Sequence, residues 1–186
     1  MSGFIRFILI DLVILILGIM ALFFFVSRRN EQVRGQTVEH FPAVFLAHPK
    51  KALLVYQPSA LGKSMDRLVQ VMTEQLQAAG FSVDRTFAGE HVLKLEDEYD
   101  LMLFGSSVYM GNMSRLLLTN LDDMIEREAV VGLFSLGLHP DDSPELAKAT
   151  ELPGVNPDRV MKFISTDKKL EQKVTSWLIE ILYMTG

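Results

Sequence analysis

Apolar residues along this chain fall into two kinds of pattern, which alternate. Short continuous apolar runs occur at Ala52–Tyr56, Tyr99–Gly105 and Ala129–Leu136, as in strands buried on both faces. Between them lie stretches of helical period. Met65, Leu68, Val69, Met72, Leu76 and Ala79 mark a helix that Ser64 opens and Gly80 stops. Met113, Leu116, Leu117, Leu121, Met124 and Ile125 mark a second. Ser143-Pro144 is the N-cap and first-position pair of a short helix, PELAKAT. Leu170, Val174, Trp177, Leu178, Ile181 and Leu182 form the stripe of a last helix, in which Trp177 reads as core. Phe81–Phe87 alternates like an edge strand, and Val160–Ser165 reads as the final strand. Strands alternating with helices predict a five-stranded parallel sheet covered on both faces, a small doubly wound α/β domain.

A different pattern precedes the domain. From Phe7 to Val26 the chain reads FILIDLVILILGIMALFFFV, interrupted only by Asp11. At about 1.5 Å per residue such a helix crosses a hydrocarbon layer of roughly 30 Å. The run is too long for a signal-peptide core and leaves through FFFVSRR without a cleavage-like site. The expected organisation is therefore a single transmembrane helix over 4–26, a juxtamembrane tether over 27–50 and a domain over 51–186. Pro42 and Pro49 argue against a central strand in the tether. Arg28, Arg29 and Arg34 follow the span while Arg6 alone precedes it, which predicts a cytoplasmic domain. Asp11 reads either as a polar residue tolerated near the interface or as a contact with a second helix or a membrane redox partner.

Composition narrows the chemistry. The 186 residues include no cysteine, which removes disulfides, thiolate metal sites and thiol nucleophiles. A net charge of −5 argues against nucleic acid as a partner. His40, His48 and His91 lack the spacing to Asp or Glu that a metal site needs.

In a doubly wound sheet, ligands bind beyond the carboxyl ends of the strands, so the loops after Tyr56, Gly105 and Leu136 carry the candidate chemistry. The first, YQPSALGKSMD, resembles the end of a nucleoside-triphosphate loop, but Gln57 stands where that motif has its first glycine. The other central strands also lack a terminal Asp for magnesium: Asp100 lies at the wrong end of its strand. Residues Ser59, Ala60, Leu61, Gly62, Lys63 and Ser64 instead supply two hydroxyls, a permissive glycine and the N–H groups of a helix start. These are the parts of a monophosphate site.

Here the chain resembles the flavodoxin family, whose phosphate loop follows [ST]-x-T-G-x-[ST]. Ser59, Gly62 and Ser64 match, and Leu61 replaces a threonine. The second loop, FGSSVYMGN, is similar to the family's G-[ST]-P-[VI]-Y-x-G segment. Gly105, Ser106, Val108, Tyr109 and Gly111 match, with Ser107 in place of proline. The third, Gly137-Leu138-His139, lacks the second aromatic common in the family. The resemblance covers roughly Lys51–Tyr183. It implies strand order 2-1-3-4-5 and non-covalently bound FMN, with the phosphate on Ser59–Ser64 and the ring against Ser106, Ser107, Val108, Tyr109, Gly111, Gly137, Leu138 and His139. It further implies electron transfer or quinone-linked oxidoreduction, as in the flavodoxin-like protoporphyrinogen dehydrogenases. A flavin-free interaction module on the same fold, tethered to the membrane, is the alternative that Leu61, Ser107 and the absent aromatic support.

Overall fold

The structure is a computed structural model that describes residues 3–32, 35–44, 49–60, 62–109, 111–125, 128–138, 144–152 and 154–183. Helix α1 (Gly3–Asn30) is followed by strand β1 (Glu39–Phe41) and strand β2 (Lys50–Gln57). Helix α2 (Ser64–Ala78), β3 (Phe81–Phe87), β4 (Leu101–Ser107), α3 (Arg115–Met124) and β5 (Val130–Gly137) come next. The chain ends with α4 (Pro144–Thr150), β6 (Val160–Ile164) and α5 (Leu170–Tyr183). Ser143, expected as the cap of α4, lies outside the described residues.

Strands β3-β2-β4-β5-β6 are parallel and reproduce the expected order, 2-1-3-4-5. The strand count differs from expectation: there are six, because β1 pairs antiparallel with β3, with Glu39 opposite Arg85 and Phe41 opposite Val83. Phe81–Phe87 is thus covered rather than at the edge. A three-residue strand leaves no periodicity to read, and what holds it is chemistry from β3. Arg85 Nε donates to Glu39 Oε2 at 2.9 Å, His40 Nδ1 lies 2.7 Å from Asp84 Oδ1, and the Arg85 guanidinium stacks 4.5 Å from the Phe41 ring centre. Pro42 then stops the ladder, as proline does at a sheet edge.

Each face of the sheet has its own core. Leu54, Leu101, Leu103 and Phe134 pack under α2 and α5, and Leu53, Val55, Met102, Phe104 and Leu133 pack under α3. In the first core Phe134, Phe163 and Trp177 meet edge to face, with ring centres 5.6–6.3 Å apart. The Phe134 ring lies directly over Gly105, where a Cβ would stand 2.0 Å from its Cζ. Gly105 is therefore a packing requirement of the aromatic cluster.

Helix α1 is the one described helix long and apolar enough to cross a membrane, over Ile8–Arg29. It does not end at Val26, because nothing in Ser27–Asn30 breaks a helix; it runs on to Asn30 and meets the domain immediately. The Glu31 carboxylate sits on the amino end of α3, accepting from Arg115 N at 3.0 Å, Leu116 N at 3.1 Å and Ser114 Oγ at 3.3 Å. A carboxylate there answers both the unpaired N–H groups and the helix dipole, typically for about 0.3–1 kcal/mol. Gln57 Nε2 donates to the Gln32 carbonyl at 3.0 Å. The chain then runs back along the sheet, with the Thr37 carbonyl accepting from Thr86 Oγ1 at 3.1 Å.

Thr86 Oγ1 also lies 2.8 Å from His91 Nε2. Since the hydroxyl proton points to Thr37, His91 donates through Nε2–H. Its Nδ1 is buried without a partner among the described residues. Burial, and secondarily Lys94, lowers the His91 pKa below its ordinary 6.5.

Two outcomes follow. Gly105→Ala should cost about 2 kcal/mol by overpacking against Phe134, read as a fall of roughly 4–8 °C in apparent Tm. An unchanged Tm would mean that the ring does not cover this position. For His91 the unfolded chain binds the proton that the folded one resists, so this group costs no stability above pH 6.5 and an increasing amount as pH falls below it. The denaturation midpoint should fall between pH 7.5 and 5.5, and by less in His91→Gln.

Candidate functional site

The three candidate loops converge at the carboxyl edge of the sheet. Register places Gln57 beside Ser106 and Ser107 beside Leu136, so the ends of β2, β4 and β5 are neighbours. The first loop leaves β2 through Ser59 and Ala60, both buried, and Leu61 lies outside the described residues. Gly62 adopts φ +79°, a left-handed conformation that favours glycine, and a Cβ there would meet no atom within 4 Å. Lys63 takes the N-cap position of α2, with no side-chain cap on the helix, and Ser64 is its exposed first residue. The amino end of α2 thus presents backbone N–H groups beside an ammonium and a hydroxyl. Asp66 adds a carboxylate to the same first turn.

Ser59 Oγ is 2.6 Å from Ser107 Oγ, which ties the first loop to the second. Ser106 and Ser107 are not loop residues, however. Strand β4 extends through both, two positions past Gly105, because each hydroxyl finds a partner inside the fold. Ser106 Oγ accepts from Ser114 N at 3.1 Å and donates to the Ser107 carbonyl at 3.3 Å. Val108 prolongs the pairing by donating to the Leu136 carbonyl at 2.9 Å. Tyr109 and Asn112 then exchange backbone hydrogen bonds at 3.0 and 3.1 Å, closing a tight turn in which Gly111 takes φ +69°. Val108 and Tyr109 are half-buried. In the third loop Gly137 is the buried last residue of β5, Leu138 is 67% exposed, and His139 lies outside the described residues.

The sequence reading missed a polar row beneath these loops. Gln57, Ser106, Ser135 and Lys162 stand side by side across four strands, on the face covered by α3 and α4. Lys162 Nζ lies 3.0 Å from Glu145 Oε1 of α4, with Glu145 almost wholly buried. Ser135 Oγ is buried without a hydrogen-bond partner among the described residues. The signal was present as one polar residue near the end of each strand, at Gln57, Ser106, Ser135 and Lys162, but only the register shows that the four stand in one row.

Two cavities flank the edge. One, of about 490 Å³, lies between α2 and α5 beside Ser64, and carries Arg67, Lys168, Asp167 and Glu171. Arg67 pairs with Glu171 at 3.0 Å, and the hydrogen bond from Lys173 holds Asp167 below the usual carboxylate range. The other, of about 660 Å³, is bounded by Ser27, Glu31, Tyr109, Met113, Arg115 and Lys148, among others. Both volumes suit a small organic ligand. Ser64 lines the first and Tyr109 the second, so the two sequence motifs open on opposite sides of the Ser59–Ser107 link.

No family model and no curated protein matches the chain. Solved structures do. A flavodoxin of Streptococcus pneumoniae TIGR4 aligns over 72% of this chain and 99% of its own, at TM-score 0.56 and 13% identity. Rubredoxin oxygen:oxidoreductase from Desulfovibrio gigas aligns over 73% of this chain at TM-score 0.57 and 13% identity, and the match spans only 36% of that larger protein. The Flv1 flavodiiron core of Synechocystis sp. PCC6803 gives TM-score 0.52 and 17% identity over 74% of this chain and 37% of its own. At such identities the likeness concerns architecture alone, and in architecture this chain carries a flavodoxin-like domain behind an apolar helix of membrane-spanning length.

Proposed function

We propose that the protein is a membrane-anchored flavodoxin-like flavoprotein that binds FMN non-covalently and passes electrons at the cytoplasmic face. The observation that carries this reading is the amino end of α2, which has no side-chain cap and follows a left-handed glycine at the ligand edge of the sheet. A helix start of this kind suits a phosphate, because N–H groups and dipole both favour an anion. In this reading Lys63 adds charge and Ser64 adds a donor. Ser59 keeps lone pairs and lies against Ser107, so it orients the loop and retains capacity for a further contact.

The Tyr109–Asn112 turn and Gly137–Leu138 would border the ring. Tyr109 offers a π-face from a backbone held by the two Tyr109–Asn112 hydrogen bonds. Leu138, exposed at the end of β5, offers an apolar surface. The hydride or single-electron chemistry belongs to the flavin when bound, and the protein supplies position, desolvation and charge. Asp66 opposes the phosphate electrostatically, which sets the affinity lower than for an uncharged first turn.

The test is FMN fluorescence quenching by the detergent-solubilised full chain. Quenching and a bound-flavin absorption spectrum are expected. Ser64→Ala with Tyr109→Ala should weaken binding by roughly tenfold or more, about one charge-assisted hydrogen bond and one ring contact. Wild-type affinity in the double variant would show that the site is misplaced. Failure of the unaltered chain to quench FMN would leave the flavin-free module as the function.

A further inference from the structure

The end of α1 and the ligand edge are the same place. Arg29 closes the apolar span, and Glu31 is already hydrogen-bonded to the amino end of α3. Gln32 is bonded to Gln57, the last residue of β2. Glu31 is only two positions beyond Arg29, and two extended residues reach at most roughly 7 Å. The carboxyl edge of the sheet therefore has almost no slack relative to the end of the membrane helix.

Charge and apolarity at the two edges agree with one orientation. Arg28 and Arg29 stand exposed at the helix exit beside the carboxyl edge, and Leu138 projects from that edge. The opposite, amino edge carries five carboxylates, Glu96, Asp97, Glu98 and Asp100 ahead of β4 and Glu128 ahead of β5, against Lys50 and Lys51 at the start of β2, and is acidic on balance. Basic groups are drawn to an anionic leaflet and acidic groups repelled from it. The second cavity, lined by Ser27 of α1 and Tyr109 of the candidate site, lies where the two meet.

We infer that the ligand edge of the domain lies on the membrane surface, with Leu138 and the Tyr109–Asn112 turn meeting the lipid headgroup layer, and that the candidate site accordingly faces a partner held in or on the bilayer. The occupant of this surface is the bilayer itself. The Glu31 and Gln32 contacts act as a joint that holds the domain in that pose, and the acidic amino edge points to the aqueous side. The inference rests on the reading of α1 as a membrane anchor.

The chain has no cysteine, so a single one can carry a polarity-sensitive fluorophore without further changes. Full-length Leu138→Cys and Glu96→Cys are labelled and reconstituted into phosphatidylcholine–phosphatidylglycerol vesicles containing a headgroup spin-labelled lipid quencher. The label at 138 should be quenched several-fold more than that at 96. Inserting a flexible Gly-Ser linker of about twelve residues between Asn30 and Glu31, with a mean span of roughly 20 Å, should abolish the difference while the fold is retained. Equal quenching at both positions without the linker, or a difference that survives it, overturns the orientation. Flotation separates this from the anchor reading. A chain that floats with the vesicles but shows equal quenching overturns the orientation alone, and a chain that stays in the aqueous fraction overturns both.

Discussion

A parallel sheet covered on both faces must end somewhere, and here it ends in polar side chains that are mostly shut off from water. Gln57, Ser106 and Ser135 are buried, and with the partly buried Lys162 they form one row near the carboxyl end of the face under α3 and α4. Burying such groups unpaired costs on the order of 1–3 kcal/mol each, so partners from outside the sheet decide where neighbouring elements sit. The backbone of Ser114, just ahead of α3, bonds Ser106, the Gln32 carbonyl bonds Gln57, and Glu145 of α4 faces Lys162. The beginning of α3, the end of α1 and the beginning of α4 are each tied to this row. The loops that frame the candidate site inherit their positions from it.

The site is consequently more rigid on one side than the other. Ser59–Ser107, Ser106–Ser114, Val108–Leu136 and Tyr109–Asn112 make a connected set of short contacts across the first two loops. Beyond Ala60 the first loop opens to solvent at Gly62, Lys63 and Ser64. In the proposed flavin site, the stiff wall would orient the planar ring and the open helix end would admit the charged phosphate. The buried Glu145–Lys162 pair belongs to the wall, and its desolvation offsets much of its attraction, so its part is positional rather than stabilising.

How much of this could be read from the chain depends on the range of the forces involved. The elements of the five-stranded domain were legible because burial on one or both faces writes a period into twenty residues or fewer. Strand order followed from two short motifs that resemble a known family. The sixth strand was not legible: Glu39–Phe41 is too short for a period, and it is held by Asp84 and Arg85, more than forty residues away. Ser106 and Ser107 looked like loop because polarity was taken as exposure, whereas both hydroxyls are paired inside the fold. The cap on α3 illustrates the same limit, since Glu31, the carboxylate that completes it beside Ser114, lies more than eighty residues away along the chain.

The short strand β1 has a consequence for how this protein can be cut. Helix α1 arrives at the carboxyl edge, but β2 begins at the amino edge, so the connecting chain must traverse the sheet, and it does so hydrogen-bonded to β3. Cleavage between Phe41 and Lys50 would therefore do more than shed the helix. It would free β1 to peel away and bare the outer N–H and C=O groups of β3, a ready template for pairing with another copy. A fragment released that way would be a sticky one, because β1 leaves with the helix and no longer covers the edge of the sheet.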